Sequence, residues 1–310
     1  MSRRTTAIAA ALSVLALGSP LISSCSNPLA RQYFNQGVDK YETGNYQGAI
    51  TDWSRAIEIN PRHAGTYFNR GNAKHDLKDY QGAIADFTKV IEINPRHADT
   101  YSWRGTAKDE SGDYQGAIAD YSKAIEINPM IVETYYNRGN SKSRLKDYQG
   151  AIADYSKAIE INPEYANAYT NRGAAKDESG DYQGAIADYN KAIEANPRDA
   201  GAYFNRGNTK GELKDHQGAI ADYTMAIEIN PQLSDAYFNS GIAKNVLKDY
   251  QGAIADFTKV IEINPKYTNA YVNRGASKYF IGDSIGACDD WRKAADLGYE
   301  RSAELLKKQC

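Results

Sequence analysis

The sequence predicts an all-α solenoid of eight helix-turn-helix repeats with a C-terminal capping helix. Three observations carry this reading. Asn-Pro recurs at Asn60-Pro61, Asn94-Pro95, Asn128-Pro129, Asn162-Pro163, Asn196-Pro197, Asn230-Pro231 and Asn264-Pro265, always 34 residues apart, and a fixed period of this size marks stacked helical units. With Pro as position 32, the repeats run 30–63, 64–97, 98–131, 132–165, 166–199, 200–233, 234–267 and 268–301, and in all eight position 4 is Tyr, position 8 is Gly and position 20 is Ala. Within a repeat, Ala83, Ile84, Phe87, Val90 and Ile91 fall at the i, i+3, i+4, i+7, i+8 spacing of one helical face.

The chain opens differently from the repeats. Arg3 and Arg4 precede an apolar stretch from Ala7 to Leu17, then Gly18, Pro20 and Ile22-Ser23-Ser24-Cys25. Basic start, short apolar middle and small-residue cleavage site make residues 1–24 a secretory signal, too short to cross a bilayer, which takes about 20 apolar residues. Residues 25–29 are a short linker to the first repeat. In each repeat, Tyr67, Gly71 and Leu77 and their equivalents place a first helix, and Ala83 to Ile91 a second. Asp79 is the expected N-cap of the second helix, and Pro95 stands beyond its end, where it breaks no backbone hydrogen bond. Small Gly71 and Ala83 let the two helices approach closely. One such pair cannot cover its own apolar face, so neighbours stack and the first helices line a groove.

The eighth repeat lacks Asn-Pro, and residues 302–310 read as an amphipathic cap, with Ala303, Leu305 and Leu306 among Glu304, Lys307 and Lys308. Cys288 lies in the last repeat and Cys310 ends the cap. Two states are open to them: a disulfide, which an exported chain would form, or two free thiols.

The repeat closely resembles the tetratricopeptide pattern: Tyr67 in the Trp slot, Gly71, Ala83, Phe87 and Pro95, with Ala56 or Ala124 at position 27. The resemblance covers residues 30–301 and implies a right-handed superhelix with a concave, polypeptide-binding groove. Position 7 departs from it, being Arg instead of Leu in six repeats, Arg70 and Arg138 among them. Ile22-Ser23-Ser24-Cys25 resembles the lipobox of bacterial lipoproteins, with Ile22 where Leu is usual. Together with the chain's ending, it makes the whole similar to bacterial, including cyanobacterial, tetratricopeptide lipoproteins. That resemblance implies a lipidated Cys25 and an exported, membrane-anchored protein facing the periplasm, a lumen or the cell exterior. An ordinary secreted protein is the other reading of the same signal.

Composition narrows the function. Thirty-seven basic against 39 acidic side chains leave no excess that would draw the chain to nucleic acid. No cofactor or metal site is expected: the four histidines, His63, His75, His97 and His216, have no Cys or His at ligand spacing and read as solvated or replacement residues. The glycines lie in helices, outside any phosphate-binding loop. Asp86, Asp120 and Asp154 recur at position 23 and Lys74, Lys108 and Lys142 at position 11. Repetition argues against an active site, which needs one place unlike the rest, and the chain is read as non-enzymatic. Pairing of these groups with the Arg70-type residues would contribute about 0–1 kcal/mol per pair if exposed.

The binding signal is a column at position 6 of the first helix: Asn35, Asn69, Asn137, Asn171, Asn205, Asn239 and Asn273, broken by Trp103. It is similar to the asparagine ladders of some tetratricopeptide and related solenoids that hold an extended peptide. A primary amide both donates and accepts, which matches the N–H and C=O groups of a peptide backbone. Recent duplication is the competing explanation, since residues 77–95 and 247–265 are identical. At position 5, Phe68, Tyr136 and Phe204 are aromatic contact candidates, while the pairs Asp109-Glu110 and Asp177-Glu178 add negative charge at the rim. No repeat supplies the lysine at position 5 of a chaperone-tail clamp. The function expected is a scaffold for a protein or peptide partner, tethered to a membrane by its N-terminus. The alternatives are a self-associating structural repeat protein and a glycan-binding enzyme. The sequence leaves the oligomeric state open.

Overall fold

The computed structural model describes residues 27–310, so the signal segment and Cys25 lie outside the described residues. Among them there are seventeen helices and no strand. The chain divides into two compact units at Ile161 and Asn162.

The first unit holds α1 (Pro28–Glu42), α2 (Tyr46–Ile59), α3 (Ala64–Asp76), α4 (Tyr80–Ile93), α5 (Ala98–Glu110), α6 (Tyr114–Ile127), α7 (Val132–Arg144) and α8 (Tyr148–Ile161). The second holds α9 (Ala166–Glu178), α10 (Tyr182–Ala195), α11 (Ala200–Glu212), α12 (His216–Ile229), α13 (Ser234–Val246), α14 (Tyr250–Ile263), α15 (Thr268–Phe280), α16 (Ser284–Asp296) and α17 (Arg301–Gln309). Within each unit every helix packs on the next in sequence. Each 34-residue repeat is thus one hairpin, and hairpins stack in order. No helix among the described residues is long and apolar enough to cross a membrane.

Local chemistry sets the hairpin. Asp79 Oδ1 accepts from the Gly82 N–H at 2.9 Å, and the same cap recurs at Asp113, Asp147, Asp181, Asp215, Asp249 and Asp283. A Cβ on Gly82 would stand 2.1 Å from Asp79 Oδ2, so a larger residue there needs the capping carboxylate to shift. The helices of one pair meet at position 8, where a Cβ on Gly71 would lie 2.8 Å from the Phe87 ring. The turn between them passes through positive φ at Gly44, Gly112, Gly180 and Gly282, but also at Lys78, Lys146, Lys214 and Lys248, with φ from 61 to 63°. Ala83, Phe87 and Val90, and in the second unit Ala253, Phe257 and Val260, are fully buried. The apolar face read from the sequence is therefore the core face.

The same charged group recurs from repeat to repeat within each unit. Arg138 Nε and Nη2 donate to both oxygens of Asp154 at 2.9 and 2.6 Å, Nη1 donates to Ser122 Oγ at 2.9 Å, and the guanidinium lies over the Tyr135 ring. Lys142 Nζ completes the group, 2.8 Å from Asp154 Oδ2. Arg70, Arg104, Arg172, Arg206 and Arg274 make the same forked bond to Asp86, Asp120, Asp188, Asp222 and Asp290. The Arg-Asp pairing expected between positions 7 and 23 is thus present, and it is buried. The Asp154 side chain is 4 % exposed, because Arg138 from the first helix and the preceding repeat's Ser122 close over it.

The histidines also differ from expectation. His63 is buried with Nδ1 2.6 Å from Thr66 Oγ1, and His97 repeats the contact with Thr100 at 2.8 Å. Both stand at the N-cap position of a first helix, and burial lowers the His97 pKa, against a smaller opposing effect of Asp99. At the chain's end α17 packs on α16, and Cys288 and Cys310 are joined by a disulfide between these two elements.

Candidate functional site

The first helices carry the asparagine column. Asn35 is exposed, and Asn69, Asn137, Asn205, Asn239 and Asn273 are half-buried, each one turn before a position-10 residue that packs into the repeat boundary. Two members are engaged within the chain. Asn239 Nδ2 donates to Asn208 Oδ1 at 2.9 Å, and Asn273 Nδ2 donates to the Asn269 carbonyl at 2.8 Å. Asn171 also has an interaction within the chain. Among the described residues, the side-chain amides of Asn35, Asn69, Asn137 and Asn205 have no intrachain hydrogen bond. Those four keep a donor pair and an acceptor for a ligand.

The aromatic candidates divide. Phe68 is 2 % exposed, packed against Phe87 and His97 at centroid distances of 5.7 and 5.9 Å. It belongs to the core and offers no contact surface, a correction to its expected role. Tyr136 and Phe204 are half-buried, set against Tyr155 and Tyr223 at 5.9 and 6.0 Å.

Trp103, the break in the column, packs against the cluster of Phe68, Phe87 and Ala107 and meets the His75 ring edge-on at 5.9 Å. Its presence has a cost at Asn72, a position-9 residue. In the repeat 200–233, the matching Asn208 Oδ1 accepts from Tyr223 O–H and from Asn239 Nδ2, both at 2.9 Å. The same two donors are replaced around Asn72 by Phe87 and Trp103. Asn72 Oδ1 is buried and without a partner among the described residues. Comparing positions 9 and 24 across repeats would have found this mismatch.

The acidic pairs are partly neutralised. Asp109 accepts from Ser141 Oγ at 2.6 Å and pairs with Arg144. In the second unit Asp177 accepts from Thr209 Oγ1 at 2.6 Å, but burial raises its pKa and the nearby Glu178 and Glu212 add to the rise. Burial also pushes the Tyr223 hydroxyl up to about 12. No group of three or more His, Cys, Asp or Glu side chains suited to a metal occurs among the described residues.

Stacked helical hairpins bearing a repeated polar column define an interaction protein of the helical-repeat class. Models of the tetratricopeptide repeat match residues 64–97, 132–165 and 200–233, then 155–187 and 234–267, and a further TPR repeat model matches 37–78, 110–146 and 178–214. These matches together span more than half of the sequence, and the chain belongs to the tetratricopeptide repeat family. No curated protein matches it. Among solved structures it is similar to MamA, 26% identical over 56% of this chain and 94% of that one, with a TM-score of 0.53. It is similar also to YrrB, titled a TPR protein with an unusual peptide-binding site: 25% identical, covering 61% of this chain and 97% of that one, TM-score 0.54. A tetratricopeptide repeat protein from Parabacteroides merdae, 21% identical, shares the fold over 91% of this chain and 98% of its own, TM-score 0.57.

Proposed function

We propose that the chain is a non-catalytic scaffold that holds an extended polypeptide against the first helices of its first unit, through the free amides of Asn35, Asn69 and Asn137. One observation carries the reading: Asn35, Asn69, Asn137 and Asn205 recur at one position yet make no hydrogen bond within the chain. A structural role would have given them partners, as it did Asn239. The peptide-binding site named for YrrB supports the same class of ligand.

The test uses a peptide selected from a random library on the full mature chain. Replacing Asn69 and Asn137 together with Ala should weaken that peptide about thirtyfold, at about 1 kcal/mol per lost hydrogen bond. Asn273→Ala, whose amide is already engaged, should leave the affinity unchanged. Equal effects of the two would remove the column as a site.

The tether is part of the same proposal: cleavage before Cys25, lipidation of its thiol, and retention at a membrane, all read from residues 2–25 of the sequence. More than one acyl chain is what stable anchoring takes. Cys25→Ser should move the protein from the membrane fraction to the soluble one, and an unchanged distribution would contradict the tether. Self-stacking of chains finds less support. Positions 3 and 10, buried as Thr100 and Ala107 or Ala236 and Ala243 in later repeats, are the exposed Gln32 and Asp39 in the first. That end face is polar, as a terminal repeat requires.

A further inference from the structure

We propose that the repeat 234–267 is a receptor for an arginine side chain supplied by a polypeptide partner. Six repeats show what its slot accepts. In each, a guanidinium lies over the ring of the position-4 tyrosine and makes a forked bond to the position-23 aspartate. For Arg206 these are the Tyr203 ring at 5.4 Å and Asp222 at 2.9 and 2.5 Å, and for Arg274 the Tyr271 ring at 5.7 Å and Asp290 at 2.9 and 2.6 Å. The remaining nitrogen donates to position 25 of the preceding repeat, Asn190 for Arg206 and Thr258 for Arg274.

In the repeat 234–267 position 7 is Ser240, while the other walls of the slot are kept: Tyr237, Asp256 and Thr224. Asp256 Oδ2 accepts from Lys244 at 2.6 Å, and among the described residues nothing donates to Oδ1. Its side chain is 13 % exposed, against 4 to 7 % for the aspartates whose slot holds an arginine. Thr224 is exposed, as is Asn190, which bonds Arg206, while Ser54, Thr88, Ser122 and Thr258 are half-buried. Ser240 itself is buried, so entry is over Asp256 and Thr224.

The first repeat shows that the slot attracts a cation even without its own arginine. There position 7 is Gln36, and Arg55 from the second helix takes over, lying over the Tyr33 ring at 5.6 Å with Nη1 3.9 Å from Asp52 Oδ1. The repeat 234–267 gets no such replacement. The residue equivalent to Arg55 there is Lys259, and its ammonium pairs with Glu262 at 2.7 Å. A guanidinium satisfies the free carboxylate oxygen, the hydroxyl and the ring face at once, and a lysine ammonium, lacking the planar fork, does not.

The site is independent of the asparagine column, since none of its members lines it. The probes are N-acetyl-arginine-N-methylamide and its lysine counterpart, titrated into the full mature chain with the Thr224 methyl followed by NMR. The arginine probe should saturate and bind at least about tenfold tighter than the lysine probe. Its binding should vanish in Asp256→Asn and in Ser240→Arg, which fills the slot from within. Equal binding of the lysine probe, undiminished binding to Ser240→Arg, or no saturable response would overturn the proposal. Should Ser240→Arg fail to fold, Asp256→Asn decides alone. Free arginine binding tighter than the capped form would assign the slot to a small molecule and overturn it as well.

Discussion

Replacing Asp154 with Asn separates a buried charged ladder from a decorative one. The carboxylate takes two bonds from Arg138 and one from Lys142, and its side chain is 4 % exposed, with the two cations at 17 and 19 %. Breaking a buried ion pair from one side generally costs about 3–5 kcal/mol. Here both cations retain some water, which places Asp154→Asn near about 3 kcal/mol, at the lower end of that range. Lys142→Met removes one charged bond of three and should cost about 1 kcal/mol, and Arg138→Met, which also strips Ser122 of its donor, about 2 kcal/mol. The order Asp, Arg, Lys follows because only the aspartate leaves two like charges facing each other. Urea unfolding of the full chain followed by circular dichroism reads the order. A triple variant, Asp154→Leu with Arg138→Met and Lys142→Met, should be less destabilised than Asp154→Asn alone, since it leaves no unpaired charge. A cost for Asp154→Asn within about 1 kcal/mol, the range of exposed pairs, would refute the reasoning. So would a triple variant worse than the single one.

Phe87→Tyr should stabilise the chain by about 1 kcal/mol by giving Asn72 Oδ1 the donor that Tyr155 gives Asn140 at 2.8 Å; a lower unfolding midpoint would contradict that account of Asn72. Lys146→Gly should gain about 0.5–1 kcal/mol, because a lysine at φ 61° carries left-handed strain that glycine lacks. The same change at half-buried Lys123, inside α6, should lose a similar amount, about 1 kcal/mol. His97 contributes pH dependence. Its folded-state pKa lies below the ordinary 6.5 because burial disfavours the charged ring. The stability it supports is complete above the unfolded-state pKa and is lost as pH falls through the folded value. The fall in Tm on acidification below about pH 6.5 should therefore be smaller in His97→Gln than in the parent, and an unchanged fall would assign the acid sensitivity elsewhere.

The fold was legible because each recurring residue meets a backbone requirement. Gly71 admits the Phe87 ring, Asp79 caps the Gly82 N–H, and Pro95 follows the second helix where no donor is needed. Such requirements are local, so one sequence shows them. Burial was not local. Asp154 pairs with Arg138 sixteen residues earlier, a spacing visible in the repeat, but its shielding depends on Ser122 of the preceding repeat. The site was legible by position and not by availability. Phe68 and Tyr136 hold the same position, yet His97 and Phe87 close over the first. Asn205 and Asn239 likewise share a column, yet Asn208 engages only the second. The asymmetry at Ser240 became meaningful only when six arginines had shown what the slot holds.

The central claim is that a polypeptide lies along the first helices and not the second. A photo-crosslinking amino acid placed at Asn69 on α3, or at the exposed Gln81 on α4, tests it in intact cells producing the chain. The account predicts adducts with a polypeptide from position 69 and none from position 81. Adducts of equal yield from both positions, or from position 81 alone, would contradict it.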